Sequence, residues 1–330
     1  FQGHPSRQGI PFLVLSCMES ELREMLERHP GALYAEEDDD MYLVPELPVD
    51  SSSTSFWGLD RIDDRQGLDG DYHTAASGQG VHVYVMDTGI VTSHPEFDGY
   101  RAIPTLEVDG NGIHECAATD TNCARDNHGH GTHCAGTIAG TTAGVAPGAT
   151  VHAVKVLSDS GGGSFSWFEA AIDWVMVHGQ KPAVISASLG GLVYLRSLDE
   201  MITEAKAVGV TVVVAAGNNG LSQSHADACH AMPAAALDAI TVGATTAGDT
   251  RATYSSVGHC VDIFAPGSNI VSASPSGGYQ AMSGTSMACP HVAGAAALLL
   301  SEDANRTPEQ VKSILLQRST PNAITETVPD

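Results

Sequence analysis

Five short apolar runs punctuate the chain: Val81–Asp87, Val151–Leu157, Ala183–Ser188, Val210–Ala216 and Ala239–Ala244. Each is nearly continuous rather than alternating, the pattern of a strand covered on both faces, which predicts a parallel sheet. Between and after them, Trp167–His178, Leu198–Val208 and Ser286–Ser301 read as helices. Strands alternating with helices predict an α/β fold, a doubly wound and mostly parallel sheet with helices on both faces. Ligands of such sheets lie at the carboxyl ends of the strands, where Asp87 and Asn218 both fall.

The first fifty residues have a different texture. Phe12–Leu15 reads as a strand, and Met18, Leu22, Met25 and Leu26 recur at helical spacing until His29-Pro30-Gly31. Ala32–Ala35 and Met41–Val44 read as extended, and the acidic run Glu36–Asp40 between them as a solvated face. Pro45–Phe56, rich in Ser and Pro, reads as a linker. The expected division is therefore a small N-terminal α+β unit, residues 1–49, and a large unit, residues 50–330. Phe1-Gln2-Gly3 reads as the remnant of a tag-cleavage site.

Composition narrows the function. With 39 acidic residues against 15 Lys plus Arg, the net charge of −24 argues against nucleic acid as a partner. The longest apolar run, Val292–Leu300, is too short to span a bilayer, so no membrane partner is expected. Seven cysteines leave at least one unpaired in a monomer, the state expected here. Asp60, Asp63, Asp64, Asp69 and Asp71 crowd into a loop-like segment, and hard oxygen ligands so clustered suit Ca²⁺ as a structural ion. A solvated acidic loop is the other reading.

Candidate chemistry centres on Gly284-Thr285-Ser286-Met287-Ala288-Cys289-Pro290-His291. Small residues permit a tight turn before Ser286, and the apolar run after it is a helix. Ser286 thus sits where unpaired N–H groups favour developing negative charge. Pro290 is read as tolerated in the first helical turn. Alone, Ser286 is equally a helix cap. Val81–Asp87 ends a buried strand in a carboxylate, and Asn127-His128-Gly129-His130-Gly131 sets a histidine among glycines. A serine nucleophile needs a base, and an imidazole base needs a carboxylate to fix its tautomer. His128 and His133 lack the intervening glutamate of a zinc-protease motif, and His291 reads as a packed histidine.

The order Asp87, His130, Ser286 is the subtilisin order. With Ser93-His94-Pro95-Glu96-Phe97, Arg125-Asp126-Asn127 and Cys260-Val261-Asp262-Ile263-Phe264-Ala265-Pro266-Gly267, the chain resembles the subtilisin-like serine proteases, proteinase K and aqualysin branch, from Trp57 to about Pro321. The resemblance implies a secreted serine endopeptidase that acts on polypeptides through an acyl-enzyme. Asn218, after Ala215-Ala216-Gly217, matches the oxyanion donor. Gly161, Gly162, Gly163 and Ser188, Leu189, Gly190 match the two segments that flank a substrate strand. The walls Ser188–Gly190 and Ala215–Gly217 carry no carboxylate, so a hydrophobic P1 residue is expected.

By the same resemblance Cys229 pairs with Cys260, Cys116 with Cys123 across a short loop, and Cys134 stays a free buried thiol. Cys289 reads as a small core residue. The stretch from Trp57 resembles a calcium-binding start of mature relatives, and Asp262 with the carbonyls of Leu237 and Ala239 is a second calcium candidate. The N-terminal unit resembles part of an inhibitory prodomain, a partner of its own cleft. Its helix should pack Leu22 and Leu26 on the catalytic unit, and self-cleavage should fall in Glu46–Ser52. The competing reading is a regulatory binding protein that keeps its prodomain and shows little free activity.

Overall fold

The computed structural model describes residues 12–44, 47, 49, 55–98 and 100–324. Its strands in chain order are β1 (Asp40–Leu43), β2 (His82–Asp87), β3 (Ala102–Asp109), β4 (Gly112–Glu115), β5 (Thr150–Lys155), β6 (Gly162–Ser164), β7 (Ala183–Ala187), β8 (Leu189–Gly190), β9 (Val210–Ala215), β10 (Ile240–Thr245), β11 (Ile263–Pro266), β12 (Ile270–Ala273) and β13 (Tyr279–Met282). Eight of them form one sheet in the order β11-β10-β9-β7-β2-β5-β3-β4. Every pairing is parallel except β3 with β4. The apolar runs read from the sequence are its five middle strands β10, β9, β7, β2 and β5.

The helices are α1 (Glu19–Arg28), α2 (Trp57–Asp63), α3 (His130–Ala139), α4 (Phe165–His178), α5 (Arg196–Ala207), α6 (Thr285–Glu302) and α7 (Pro308–Arg318). They cover both faces of the sheet, and β2 shows how. Val83 and Val85 join the apolar cluster of α3 and α6, while Tyr84 and Met86 join that of α4 and α5. Side chains alternate along a strand, so Asp87 falls on the α3 and α6 face. Gly294 lets these two helices approach: a Cβ there would stand 2.6 Å from Val145 Cβ and 3.3 Å from the Ile138 carbonyl oxygen. The sheet therefore presents Asp87 toward the two helices that begin with the histidine and serine motifs.

The N-terminal segment departs from expectation in two ways. Phe12–Leu15 forms no strand, and Phe12 packs against the apolar cluster of α4 and α5. No residue of α1 is buried, and Leu22 and Leu26 are only half covered, so its apolar stripe is not packed as expected. The acidic run is solvent-exposed, as expected, yet two of its carboxylates also bond helix starts. Glu36 accepts hydrogen bonds from the Arg196 and Ser197 amides at 2.9 and 2.8 Å, at the start of α5. Asp38 accepts from the Ser166 amide at 3.0 Å and the Ser166 hydroxyl at 2.7 Å, at the start of α4. Neither helix has a side-chain cap from its own N-cap residue, so these carboxylates satisfy orphan amides and meet two helix dipoles favourably.

Candidate active site

Asp87, His130 and Ser286 converge although 43 and 156 residues separate them in sequence. All three are fully buried. His130 opens α3 after Gly129, whose φ of 109° only glycine adopts easily. Its Nδ1 lies 2.8 and 2.9 Å from the two Asp87 carboxylate oxygens. Gly131 is needed here, because a Cβ would come within 2.1 Å of the Gly89 carbonyl oxygen and 3.1 Å of Asp87 Oδ1. Burial opposes the charged imidazolium, but the Asp87 carboxylate reverses that and holds His130 well above its ordinary pKa. His130 Nε2 has no hydrogen-bond partner among the described residues.

A residue that the motifs left without a role fixes this loop. Asp126 is buried and accepts from the Thr88 hydroxyl (2.9 Å), the His128 and Gly129 amides (3.0 and 2.7 Å), and the Thr132 amide and hydroxyl (2.8 and 2.6 Å). Thr88 in turn accepts from the Gly131 amide. The only sequence signal was its place in the Arg125-Asp126-Asn127 motif.

Ser286 is the second residue of α6. Pro290 lies in the second turn, not the first as expected, so the usual i−4 bond to the Ser286 carbonyl is missing. That carbonyl instead accepts from the Ser188 hydroxyl at 2.9 Å and the Cys134 thiol at 3.4 Å. The freed carbonyl thereby ties the backbone of Ser286 to Ser188, between β7 and β8, and to α3. The Ser286 hydroxyl itself faces the Ser188 carbonyl at 3.4 Å. Asn218 follows β9, and its Oδ1 accepts from the Thr285 amide (2.9 Å) and hydroxyl (3.0 Å). A Cβ built on Gly284 would lie 3.0 Å from Asn218 Nδ2 and 3.6 Å from the Ser286 amide nitrogen, so two donors flank one point beside the serine.

Substrate-flanking candidates come together as two strand edges with β1 between them. Tyr42 opposes Gly162 and Gly190, Met41 opposes Gly163, and Leu43 opposes Leu189, all antiparallel. Leu43 donates its amide to the Gly161 carbonyl at 2.9 Å. Gly217 borders the site through its amide, which donates to Thr285 Oγ1. A large cavity of about 770 Å³ lined by Leu59, Tyr72, His73, Thr141, Thr142 and Pro147 includes no triad residue. Ser286 adjoins Ser188 instead, next to the strand edge that β1 occupies.

Of the metal candidates, Asp60, Asp64 and Asp69 bring carboxylate oxygens within 4.8 Å of one another. Burial, then the charges of Asp69, Asp63 and Asp60, push the Asp64 pKa up. Hard oxygens in mutual repulsion suit a divalent cation. Asp60 and Asp63 lie on α2 rather than in a loop. Asp63 accepts from the His73 amide and, like Asp71, does not join the trio. The second candidate is corrected: Lys312 Nζ sits among its ligands, 2.8 Å from Asp262 Oδ1, 2.7 Å from the Ala239 carbonyl and 3.2 Å from that of Leu237. A tethered ammonium takes the cation's place.

The disulfides, the buried thiols and the buried His133 and His291 are structural. Cys116–Cys123 and Cys229–Cys260 are disulfides, and Cys17, Cys134 and Cys289 are free. Burial keeps Cys134 and Cys289 protonated, the latter pushed up to about 12. It lowers His133 to about 3 and His291 to about 4, where each hydrogen-bonds a backbone carbonyl as a neutral ring.

A buried carboxylate–imidazole pair beside a helix-opening serine, on a mostly parallel sheet, defines the serine hydrolase class. A model of the Subtilase family matches residues 78–328, and the chain belongs to that family as a subtilisin-like serine endopeptidase. It is 49% identical over 302 residues to the extracellular serine proteinase of Thermus sp. (strain Rt41A), covering 91% of this chain and 68% of that protein. It is 43% identical over 321 residues to alkaline serine exoprotease A of Vibrio alginolyticus, covering 97% of this chain and 57% of that protein. The crystal structure of a cold adapted subtilisin-like serine proteinase superposes with a TM-score of 0.75 at 42% identity, covering 83% of this chain and 95% of the other. Among the described residues no helix is long and apolar enough to cross a membrane.

Proposed function

We propose that this chain is a secreted endopeptidase that cleaves polypeptides through an acyl-enzyme on Ser286 and is held inactive by its own N-terminal segment, an inhibitory prodomain. The observation that carries this reading is the double contact of His130 Nδ1 with Asp87, beside a serine whose carbonyl Ser188 and Cys134 hold. Attack forms a bond from Ser286 Oγ to the carbonyl carbon while His130 Nε2 takes the hydroxyl proton. Collapse breaks the C–N bond, and the same proton goes to the leaving nitrogen. Water then repeats the sequence and releases the acid. Asp87 holds the imidazole in the tautomer that leaves Nε2 able to accept. The Ser286 amide and Asn218 Nδ2 stabilise the oxyanion, with Asn218 oriented through Thr285.

Strand pairing of β1 with β6 and β8 supports both substrate binding by strand addition and inhibition by occupancy. The Glu46–Ser52 interval proposed for self-cleavage lies mostly outside the described residues. Calcium, held by Asp60, Asp64 and Asp69, would neutralise three like charges at the start of the catalytic unit, and a chelator should then lower its melting temperature.

The competing reading, a binding protein that never sheds its prodomain, draws on the full burial of Ser286. Hydrolysis of a chromogenic peptide separates the two. Processed wild type should turn over, with Ser286→Ala slower by about 10⁶-fold, the scale of losing a triad serine. Equal rates for the two proteins would refute the mechanism.

A further inference from the structure

Nothing in the catalytic mechanism uses the cluster formed by Cys229, His259 and Cys260. The two sulfurs and a ring nitrogen of His259 all lie within 4.8 Å of one another. Both His259 nitrogens stand 3.6 Å from Cys229 Sγ. His259 is exposed and Cys229 half-buried, so the cluster opens to solvent. Among the described residues, no other trio of metal-ligating side chains carries two sulfurs. As a disulfide the pair cannot ligate, because metals bind cysteine as thiolate. Reduced, the trio offers two thiolates and an imidazole, a donor set that suits Zn²⁺. At tetrahedral angles, bonds of about 2.3 Å to sulfur and about 2.05 Å to nitrogen set those two atoms about 3.6 Å apart. The His259 and Cys229 atoms already stand at that separation. The sulfurs must part to about 3.8 Å, which rotation about the Cα–Cβ bonds supplies with the Cα atoms 5.4 Å apart. The backbone on both sides is anchored without the disulfide. Asp227 Oδ1 accepts from the Cys229 amide at 2.9 Å, the Ala228 amide donates to the Val257 carbonyl at 2.8 Å, and the Val257 amide donates to the Ala226 carbonyl at 2.9 Å.

We propose that reduction of Cys229–Cys260 by a dithiol uncovers a zinc site made of Cys229, His259 and Cys260, with water at the fourth position. A thiolate of the dithiol attacks one sulfur, the S–S bond breaks, and the reagent's second thiol displaces the protein sulfur from the mixed disulfide. The reagent leaves as its own disulfide, and the protein gains two electrons and two protons as two thiols. Zn²⁺ then displaces both thiol protons and takes His259 as the neutral ring. The ion rejoins the turn Ala228–His230 to the segment that ends at Cys260. That junction backs the end of β9. Cys260 packs against the cluster of Ala216, Ala228 and Ala234, and the Ser256 amide donates to the Gly217 carbonyl at 2.9 Å. Zinc thus takes over the work of the covalent link behind Ala216–Asn218. The other thiols offer less. Cys134 shares its trio with Asp87 and His130 and is fully buried, and Cys289 belongs to no such trio.

The test uses the full chain carrying Cys17→Ser, which removes the exposed free thiol. It is compared oxidised and after treatment with a dithiol that is then removed under argon, both in excess calcium. Equilibrium dialysis against zinc should give the reduced protein one ion more than the oxidised protein binds. Cobalt in place of zinc should show thiolate charge-transfer bands and the visible bands of a tetrahedral ion. Zinc should raise the melting temperature of the reduced protein and leave that of the oxidised protein unchanged. His259→Ala, a surface change, should melt like its parent while oxidised, which certifies its fold. Reduced, it should bind zinc at least about 100-fold more weakly, since losing even an outer partner of a ligand costs 10–100-fold. Cys229→Ser with Cys260→Ser should bind no zinc beyond the oxidised level. Equal affinity in His259→Ala, or full binding by the double serine variant, would assign the ion to other thiols and overturn the proposal. A reduced protein that gains no zinc, or that unfolds and is not restored by it, overturns the proposal as well.

Discussion

Replacing Lys312 by methionine should destabilise the catalytic unit and make its stability more calcium-dependent than that of wild type. Lys312 reaches from α7 to Asp262 and to the carbonyls of Leu237 and Ala239, with three contacts between 2.7 and 3.2 Å. The two charged side chains are 24% and 21% exposed, so the pair is partly shielded from water. Methionine keeps most of the stem's packing and deletes the charge. What remains is a carboxylate facing two carbonyl oxygens, held in place because its other oxygen accepts from the Thr241 amide at 3.0 Å. A hydrogen bond to a charged group contributes about 1.5–3 kcal/mol. Partial exposure trims that, and two weaker carbonyl bonds add to it, for a net loss of about 2–3 kcal/mol. At about 2–4 °C per kcal/mol for a unit of this size, the melting temperature should fall by roughly 5–10 °C in chelator. The vacated oxygens form a hard, anionic seat. With a dissociation constant of about 10⁻⁴–10⁻³ M, calcium at about 10 mM would restore roughly 1.4–2.7 kcal/mol. Calorimetry of both proteins, with and without calcium at one scan rate, measures both effects. A fall below about 1 °C would refute the estimate for the lysine. A full fall without calcium recovery would refute the view that these oxygens form a cation seat.

Other outcomes follow from the site. Asn218→Ala should lower kcat by about 10²–10³-fold with little change in KM, since its donor acts on the developing oxyanion; a change confined to KM would contradict that role. His130 must be neutral to act as base, and its pKa is raised above 6.5, so the acid limb of the kcat/KM profile should lie above 6.5. Asp87→Asn should bring that limb down and cost about 10⁴-fold in kcat, and a limb that does not move would count against the pairing. Glu169 is pushed up from 4.5 to about 7 by burial, with Asp38 and Glu36 adding to the shift and the Ser197 hydrogen bond opposing it. The share of that shift due to Asp38 and Glu36 is lost when the segment leaves, so the bound state keeps the Glu169 proton more tightly and the hold should weaken as pH climbs toward 7. Glu169→Gln should flatten that dependence in a prodomain-release assay.

The catalytic unit was legible because its signals are local. A strand such as Val210–Ala215 declares itself by unbroken apolar residues, and Asp87, His130 and Ser286 each sit in a short stretch of recognisable chemistry. What escaped the sequence depends on partners far along the chain. Lys312 lies 50 residues from Asp262 and reads as an ordinary helix-surface lysine until α7 folds beside β9 and the turn before β10. Asp126 reads as one more loop acid until five donors surround it. Pro290 reads as an N-terminal helix residue, and its effect emerges only when Ser188 and Cys134 are seen bonding the carbonyl it releases.

The acidic run is the sharpest case, and it bears on how the cleft is freed. α1 buries none of its residues, so it adds little hydrophobic hold. The grip rests instead on the caps from Glu36 and Asp38, on Tyr34, which bonds Glu200 and lies under the Arg196 guanidinium, and on β1 in the cleft. Each cap contributes about 0.5–2 kcal/mol, and such hydrogen bonds are directional and exchange readily with water. While the chain is continuous, β1 is held close to its pairing edges by covalent attachment. Once a bond downstream is broken, that advantage falls away, and capping carboxylates with one strand must hold the segment alone. In the proposed inhibited state these polar anchors, beside the buried Met41 and Val44, would hold the segment firmly before the cut and release it more readily after it.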